Sequence, residues 1–131
     1  MSISPSNLLQ LSKDILATAK LEVEFRNAIG RAYYATYHAA NSFHNSLPSP
    51  GEPPLNRMGM HLELAYRLSR PTIVSTEPLF QKSRDLGRDL NWLHDKRLKS
   101  DYDLNRSVTL SDAKAVVERA EAAIDLIGAP T

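Results

Sequence analysis

Cysteine is absent from this chain. Disulfide frameworks, thiolate metal sites and cysteine nucleophiles are therefore all excluded, and the absence fits a reducing cytoplasm. Neither sign of charge predominates: 16 Lys and Arg stand against 15 Asp and Glu, a formal net charge of +1. A polyanionic partner would have to meet a local basic patch, since the molecule as a whole offers it little field. No apolar run approaches the roughly 18 residues of a membrane span. The opening "MSISPSNLLQ" lacks a basic region followed by an apolar one, so a secretory leader is not expected. The expected location is the cytoplasm, with no membrane partner. Internal repeats, strand-like alternation and a glycine-rich phosphate loop are also missing. The four histidines include no convincing His-x3-His pair; His38 and His44 lie six apart, on different faces of one helix. Neither a metal nor a cofactor is expected, and His44 and His61, each taken alone, read as surface or packed residues.

What remains is helical. At 131 residues the chain suits one domain, 1–131, with one core. "SPSNLLQLSKDILATAK" opens with Ser4 as N-cap and Pro5 in the first turn, with Leu8, Leu11 and Ile15 at helical spacing and Leu16 beside them. "LEVEFRNAIGRAYYATYHAANSFHNSL" is longer, about 40 Å if fully helical. Its stripe runs through Leu21, Phe25, Ile29, Ala32, Ala39 and Phe43. Thr36 interrupts the stripe, its hydroxyl placed to bond a carbonyl one turn earlier. Gly30 allows a neighbouring helix to approach. The proline-rich "PSPGEPPL" must be a loop. A third helix follows in "LNRMGMHLELAYRLSR", with Met58, Leu62, Ala65 and Leu68 on one face and Pro71 beyond its end. A fourth runs from about Glu77 to Leu104, with Leu79, Leu86, Leu90 and Leu93 in register. The fifth, "SDAKAVVERAEAAIDLI", follows the cap signal "TLSD" and stops at Gly128, a natural C′ residue. Its inner stripe is Val116, Ala120, Ala123 and Ile127. The expected fold is an all-α, up-and-down bundle of about five helices, two long and antiparallel, with shorter ones flanking them.

"RNAIGRAYYATYHAA" resembles the signature helix of the HEPN superfamily, with its Arg-x-Tyr-Tyr-Ala centre. "GMHLEL" resembles that family's short third helix, "LHDKRLKSDYDL" the Arg-x3-Asp-Tyr segment of one of its branches, and "SDAKAVVERAEAAIDLI" its alanine-rich closing helix. The similarity spans nearly the whole chain in order. It implies a HEPN-like bundle that pairs as a two-fold homodimer. It also implies an RNA-acting protein of a toxin–antitoxin or phage-defence type, many such proteins being metal-independent endoribonucleases. The alternative it implies is a non-catalytic RNA-binding or interaction module that pairs with a nucleotidyltransferase-like partner protein.

The family motif is an arginine followed by four to six residues and a histidine. Two registers in the fourth helix compete for it. Arg88, Asp89 and His94 match Arg-polar-x4-His, whereas Arg97, Asp101 and Tyr102 match the Arg-x3-Asp-Tyr branch, which has no histidine at the expected place. Arg31 and His38 also give Arg-x6-His, on the second helix.

Metal-independent RNA cleavage needs a base for the ribose 2′-OH, an acid for the leaving 5′-oxygen, and positive charge on the phosphorane. Histidine suits the first two roles, and the planar fork of arginine suits the third. Arg97 and Arg88 are the candidate phosphate contacts. His94 is the first candidate for acid–base work and His38 the second, with Asp101 and Tyr102 completing the catalytic set. Arg31, Lys96 and Lys99 are candidate RNA-binding residues. Helical geometry sets Arg88 and His94 about 120° apart, so they converge only across a dimer or at a distortion near Gly87. Arg31 and His38 share a face, about 10.5 Å apart along the axis. Each set also has a purely structural reading. Arg88 pairs with a carboxylate while His94 packs beside Trp92. Arg97 pairs with Asp101 and links the fourth helix to the second through Tyr33 or Tyr34. Arg31 meets a carboxylate while His38 caps a core edge. The basic residues of the fourth helix form a solvated, salt-bridged surface.

Overall fold

A computed structural model describes residues 3–130. It contains five helices: α1 (Pro5–Thr18), α2 (Glu22–Ser46), α3 (Met60–Ser69), α4 (Pro78–Tyr102) and α5 (Leu110–Gly128). The described residues include no strand. Helix α2 is the hub and touches each of the other four, whereas α3 packs mainly on α4. α2 and α4 run antiparallel: Arg26 meets Ser100 near one end, and Tyr34 meets Arg97 further along.

Local chemistry explains where the helices start. Ser4 and Asn7 form a reciprocal capping box, with the Asn7 amide donating to Ser4 Oγ at 3.2 Å and the Ser4 amide to Asn7 Oδ1 at 3.0 Å. Thr109 and Asp112 repeat the device for α5 at 3.1 and 2.9 Å. α2 has no hydroxyl cap. Its Glu24 carboxylate instead accepts the Lys20 and Leu21 amides, both at 3.0 Å, and those bonds hold the carboxyl below its ordinary range.

The core centres on α2. Ile29 and Tyr33 are sealed against Leu86, Leu90 and Leu93 of α4, Leu68 of α3, and Val116 and Ala120 of α5. Thr36 is fully buried and its hydroxyl donates to the Ala32 carbonyl at 3.0 Å, which is how a polar residue sits in the stripe. Several expectations change. On α1, Leu9 and Ser12 are buried and the expected Leu8 and Leu16 pack partly buried beside them, whereas Leu11 is exposed. Ser12 can lie inward because its hydroxyl donates to the Ala28 carbonyl at 2.7 Å. α3 begins at Met60, so Met58 precedes it, and Leu62 points outward. Gly128 stays within α5 with negative φ, and the chain leaves the helix at Ala129 in an extended conformation. Gly87 does not distort α4. A β-carbon there would lie 2.8 Å from the Ser69 amide nitrogen and 3.0 Å from the Ala65 carbonyl oxygen, so its role is to admit the C-terminal turn of α3. Gly30 would bring a β-carbon only into ordinary contact with the Asp101 carboxylate, 3.7 Å away. The close helix approach expected at Gly30 therefore occurs at Gly87.

One buried cation fixes the far end of α4. Arg26 Nη1 donates to the carbonyls of Ser100 (2.7 Å), Asp103 (3.2 Å) and Lys99 (3.3 Å), and Nη2 donates to that of Arg106. These oxygens belong to the last turn of α4 and the turn after it, where backbone donors are few: the Lys99 carbonyl accepts the Asp103 amide and the Asp103 carbonyl the Arg106 amide, both at a long 3.3 Å. A positive charge at a helix C-terminus also opposes the macrodipole. Its nearest carboxylate, Glu22, is 3.8 Å away and also accepts the Val108 amide. Arg26→Met should therefore cost about 3 kcal/mol, because the buried oxygens lose a charged donor. Arg26→Lys should recover only part, since one ammonium cannot span four carbonyls. Urea denaturation measures both; an unchanged midpoint in Arg26→Met would mean that water serves those oxygens equally well.

Candidate functional site

Where α2, α3 and α4 meet, the side chains gather around Tyr33. Tyr33 is fully buried on α2, and its hydroxyl shares a 2.7 Å hydrogen bond with Nδ1 of His61, in the first turn of α3. His94 from α4 lies on the other side, its ring centroid 5.6 Å from Tyr33 and 5.7 Å from His61, to which it is roughly parallel. Tyr37, one turn beyond Tyr33, packs on His61 at 4.6 Å. Three residues after His94, and so on the same face of α4, Arg97 closes the group. Its Nε donates to Asp101 at 3.1 Å and Nη2 to the Tyr34 hydroxyl at 2.9 Å. Its guanidinium lies 5.2 to 5.8 Å from the rings of Tyr34, Tyr102 and Tyr33, within cation–π range.

Three nitrogen groups in this cluster have no hydrogen-bond partner among the described residues: Nε2 of His61, both ring nitrogens of His94, and Nη1 of Arg97. Among the described residues no fully buried side-chain nitrogen or oxygen lacks a partner, so these groups keep at least a small contact with solvent. The cluster is thus mostly buried, His94 being 9% exposed and the Arg97 side chain 12%, with its unpaired nitrogens meeting solvent only at the edge. Burial lowers the affinity of both imidazoles for a proton. His94 and Arg97 add to the effect at His61, and Arg97 adds to it at His94, slightly opposed by Asp95. Both histidines are therefore neutral at pH 7. Tyr33 is pushed well above its ordinary range by burial, so its hydroxyl stays protonated. It braces His61 and does not act as a base.

The other candidates are distributed around this group. His94 packs on Tyr33 and His61, where Trp92 had been the expected neighbour, and Arg97 makes the expected bridge to Asp101 and Tyr34. Tyr102 is exposed beside Arg97. His38 is exposed with its ring edge against Tyr37, 5.5 Å away, at the margin of the cluster. Arg31 is exposed on α2 one turn before Tyr34, with no carboxylate in ion-pair range among the described residues, so the expected pair is not made. Arg88 stays outside: it pairs with Asp85 at 3.3 Å on the solvent side of α4 and does not converge with His94 in this chain. Lys96 and Lys99 project from the opposite face of α4 to Arg97, toward α5, so the basic residues of α4 do not form one stripe. No three of His, Asp and Glu converge as metal ligands among the described residues. No helix of the structure is long and apolar enough to cross a membrane.

His61 is the residue that sequence reasoning set aside. The signal was its spacing of three, four and seven residues from Leu64, Ala65 and Leu68, all buried, which puts it on the inward face of α3. The structure also places His94 of one motif register beside Arg97 of the other, one turn apart on α4. Comparison with protein-family models, with curated proteins and with solved structures returns no match. The chemistry of the site accordingly rests on its own geometry.

The lowered imidazoles make stability depend on pH. Above about 6.5, the ordinary histidine value, His61 and His94 are neutral folded and unfolded, and no penalty arises. Below it the unfolded chain takes up protons first, so stability falls until the pH has passed the folded values. His44, lowered by burial and by Arg67, acts in the same direction. Unfolding midpoints should fall between about pH 7 and pH 5, and His61→Gln or His94→Gln should flatten that slope. Urea titrations across the range measure it. Equal slopes in all three proteins would mean that these rings titrate as they do in the unfolded chain.

Proposed function

We propose that this chain is a HEPN-like, RNA-acting protein of a toxin–antitoxin or phage-defence type, working as a metal-independent endoribonuclease and pairing as a two-fold homodimer. The observation that carries the reading is the convergence of two imidazoles and one arginine with a free terminal nitrogen at the mostly buried junction of α2, α3 and α4. Cleavage by transfer to the ribose 2′-oxygen needs those three groups. His61 accepts the 2′-OH proton at Nε2 while Tyr33 holds its Nδ1. The 2′-oxygen attacks phosphorus and the P–O5′ bond breaks. His94, in its protonated form, delivers a proton to the departing 5′-oxygen. The products are a 2′,3′-cyclic phosphate and a free 5′-hydroxyl. Arg97 Nη1 donates to a non-bridging phosphate oxygen, where a guanidinium is worth most as negative charge builds up. Arg31 and His38, exposed on the same side of α2 as Tyr34, extend the face along the strand.

A second reading has its own support. Two of the three guanidinium nitrogens of Arg97 are held within the chain, and Met58, Met60 and Leu62 are exposed beside His61. Both features suit a non-catalytic module that docks a nucleotidyltransferase-like protein, with Arg97 as a brace.

Incubating the purified protein with single-stranded RNAs in EDTA separates the two. Under the nuclease reading, Arg97→Ala, His61→Ala and His94→Ala each lose about a hundredfold or more in rate, while Arg88→Ala cleaves as the parent does. Because one imidazole must be neutral and the other charged, kcat/KM should be bell-shaped in pH. Both limbs are set by lowered values, so the optimum falls below about 6.5. Absence of cleavage by the folded protein on every RNA tried would reject the nuclease reading in favour of the docking module.

A further inference from the structure

On the other side of α4 from the histidines, a cleft of about 320 Å³ opens between α4, α5 and the segment joining them. That volume is at the small end of ligand sites. Its floor is apolar, made by Ile29, Val108 and Val116, of which Ile29 and Val116 are almost completely buried. Its rim carries Lys96, Lys99 and Arg106, with a single carboxylate, Asp112, facing them.

The lining therefore holds three cations against one carboxylate, a formal balance of +2. Lys99 is paired with Asp95 at 2.8 Å and Arg106 weakly with Asp103 at 3.6 Å, which spends part of that charge outside the cleft. Lys96 has no carboxylate in ion-pair range among the described residues. Its ammonium lies over the Trp92 ring, 5.2 Å from the centroid, with its donors unspent. All three cations act on Asp95, whose carboxyl is lowered mainly by its bond to Lys99, so they share one neighbourhood. Asp112 is only half used. Its Oδ2 caps α5 by accepting the Thr109 amide at 2.9 Å, and its other oxygen has no partner among the described residues.

We propose that this cleft is a binding site for a nucleoside monophosphate. A phosphate monoester carries about −1.5 to −2 charges at pH 7; it meets the unpaired ammonium of Lys96 directly and competes with Asp95 and Asp103 for Lys99 and Arg106. Lys96, Lys99 and Arg106 take the phosphate oxygens through charge-assisted hydrogen bonds. The base lies on the floor of Ile29, Val108 and Val116, and the free oxygen of Asp112 accepts from a ribose hydroxyl. A bare phosphate would leave that floor and that acceptor unused; a nucleoside would leave the cations unmatched. The site is independent of the proposed nuclease face, since it uses the residues of α4 that point away from Arg97.

Trp92 lines the cleft and is the only tryptophan of the chain, so its fluorescence reports occupancy directly. The full chain is titrated with adenosine and uridine monophosphates, with inorganic phosphate and with the two nucleosides, exciting at the red edge of the indole band and repeating each titration by calorimetry. The expected result is saturable binding of a monophosphate, at least about tenfold tighter than inorganic phosphate or either nucleoside. Lys96→Met, which keeps the aliphatic stem, should weaken it by about tenfold to a hundredfold, as for the loss of one charge-assisted hydrogen bond. Arg106→Gln should weaken it as well, with far-UV dichroism and the melting temperature matched to the parent. Absence of saturable binding, equal binding of inorganic phosphate, or full affinity in both variants would each overturn the proposal.

Discussion

The capture of four carbonyls by Arg26 is the contact on which the arrangement of the chain most depends. A helix C-terminus leaves its last carbonyls without donors, and that of α4 is drawn against α2, partly out of water. Placing one guanidinium there solves two problems together. The oxygens of Ser100 and Arg106 acquire a donor, those of Lys99 and Asp103 a second one beside a long backbone bond, and Arg26, itself buried, acquires partners that stand in for a carboxylate. Because Arg26 lies near the start of α2, the bonds set the antiparallel register of the two long helices. Tyr34 then falls opposite Arg97 and Tyr33 opposite His94. The same bonds hold Asp103 and Arg106, so they also shape the entry to α5 and the cleft beside it.

Tyr33 does for the histidine cluster what Arg26 does for the helix end. A sealed phenol needs a partner for its hydroxyl, and His61 Nδ1 supplies it. The bond orients one imidazole while its far nitrogen stays open. Neutrality of both rings follows from the same packing: partial burial and the fixed charge of Arg97 disfavour a second and third cation in one place. Two neutral imidazoles and a pH-sensitive fold are then two consequences of one arrangement.

Helix α4 presents polar residues on two faces because of how they are spaced. His94, Arg97 and Asp101 recur at three and four residues and turn toward α2 and α3. Trp92, Lys96 and Lys99 recur at four and three and turn toward α5. Counted along the chain, these residues look like one basic stretch; folded, they separate into two clusters of different character.

Much of this was readable in advance. Five helices, their order, the proline-rich loop, the caps at Ser4 and Thr109, the Thr36 back-bond and the Arg97–Asp101 pair all follow from spacing and local chemistry, which act over one or two turns, whereas the choice of Tyr34 over Tyr33 as the partner of Arg97 on α2 was made by the packing of two helices. The misjudged details share a cause. Ser12 faces inward because a carbonyl on another helix receives it, and Gly87 is needed because α3 crosses there. His61 joins the site because the fold brings α3 against α2 and α4. None of these partners is near in sequence. The sequence by itself determined where helices form and which residues are chemically able to act. Only the tertiary structure decided which of them meet, since hydrogen bonding and burial between helices depend on distances that residue spacing along one helix cannot express.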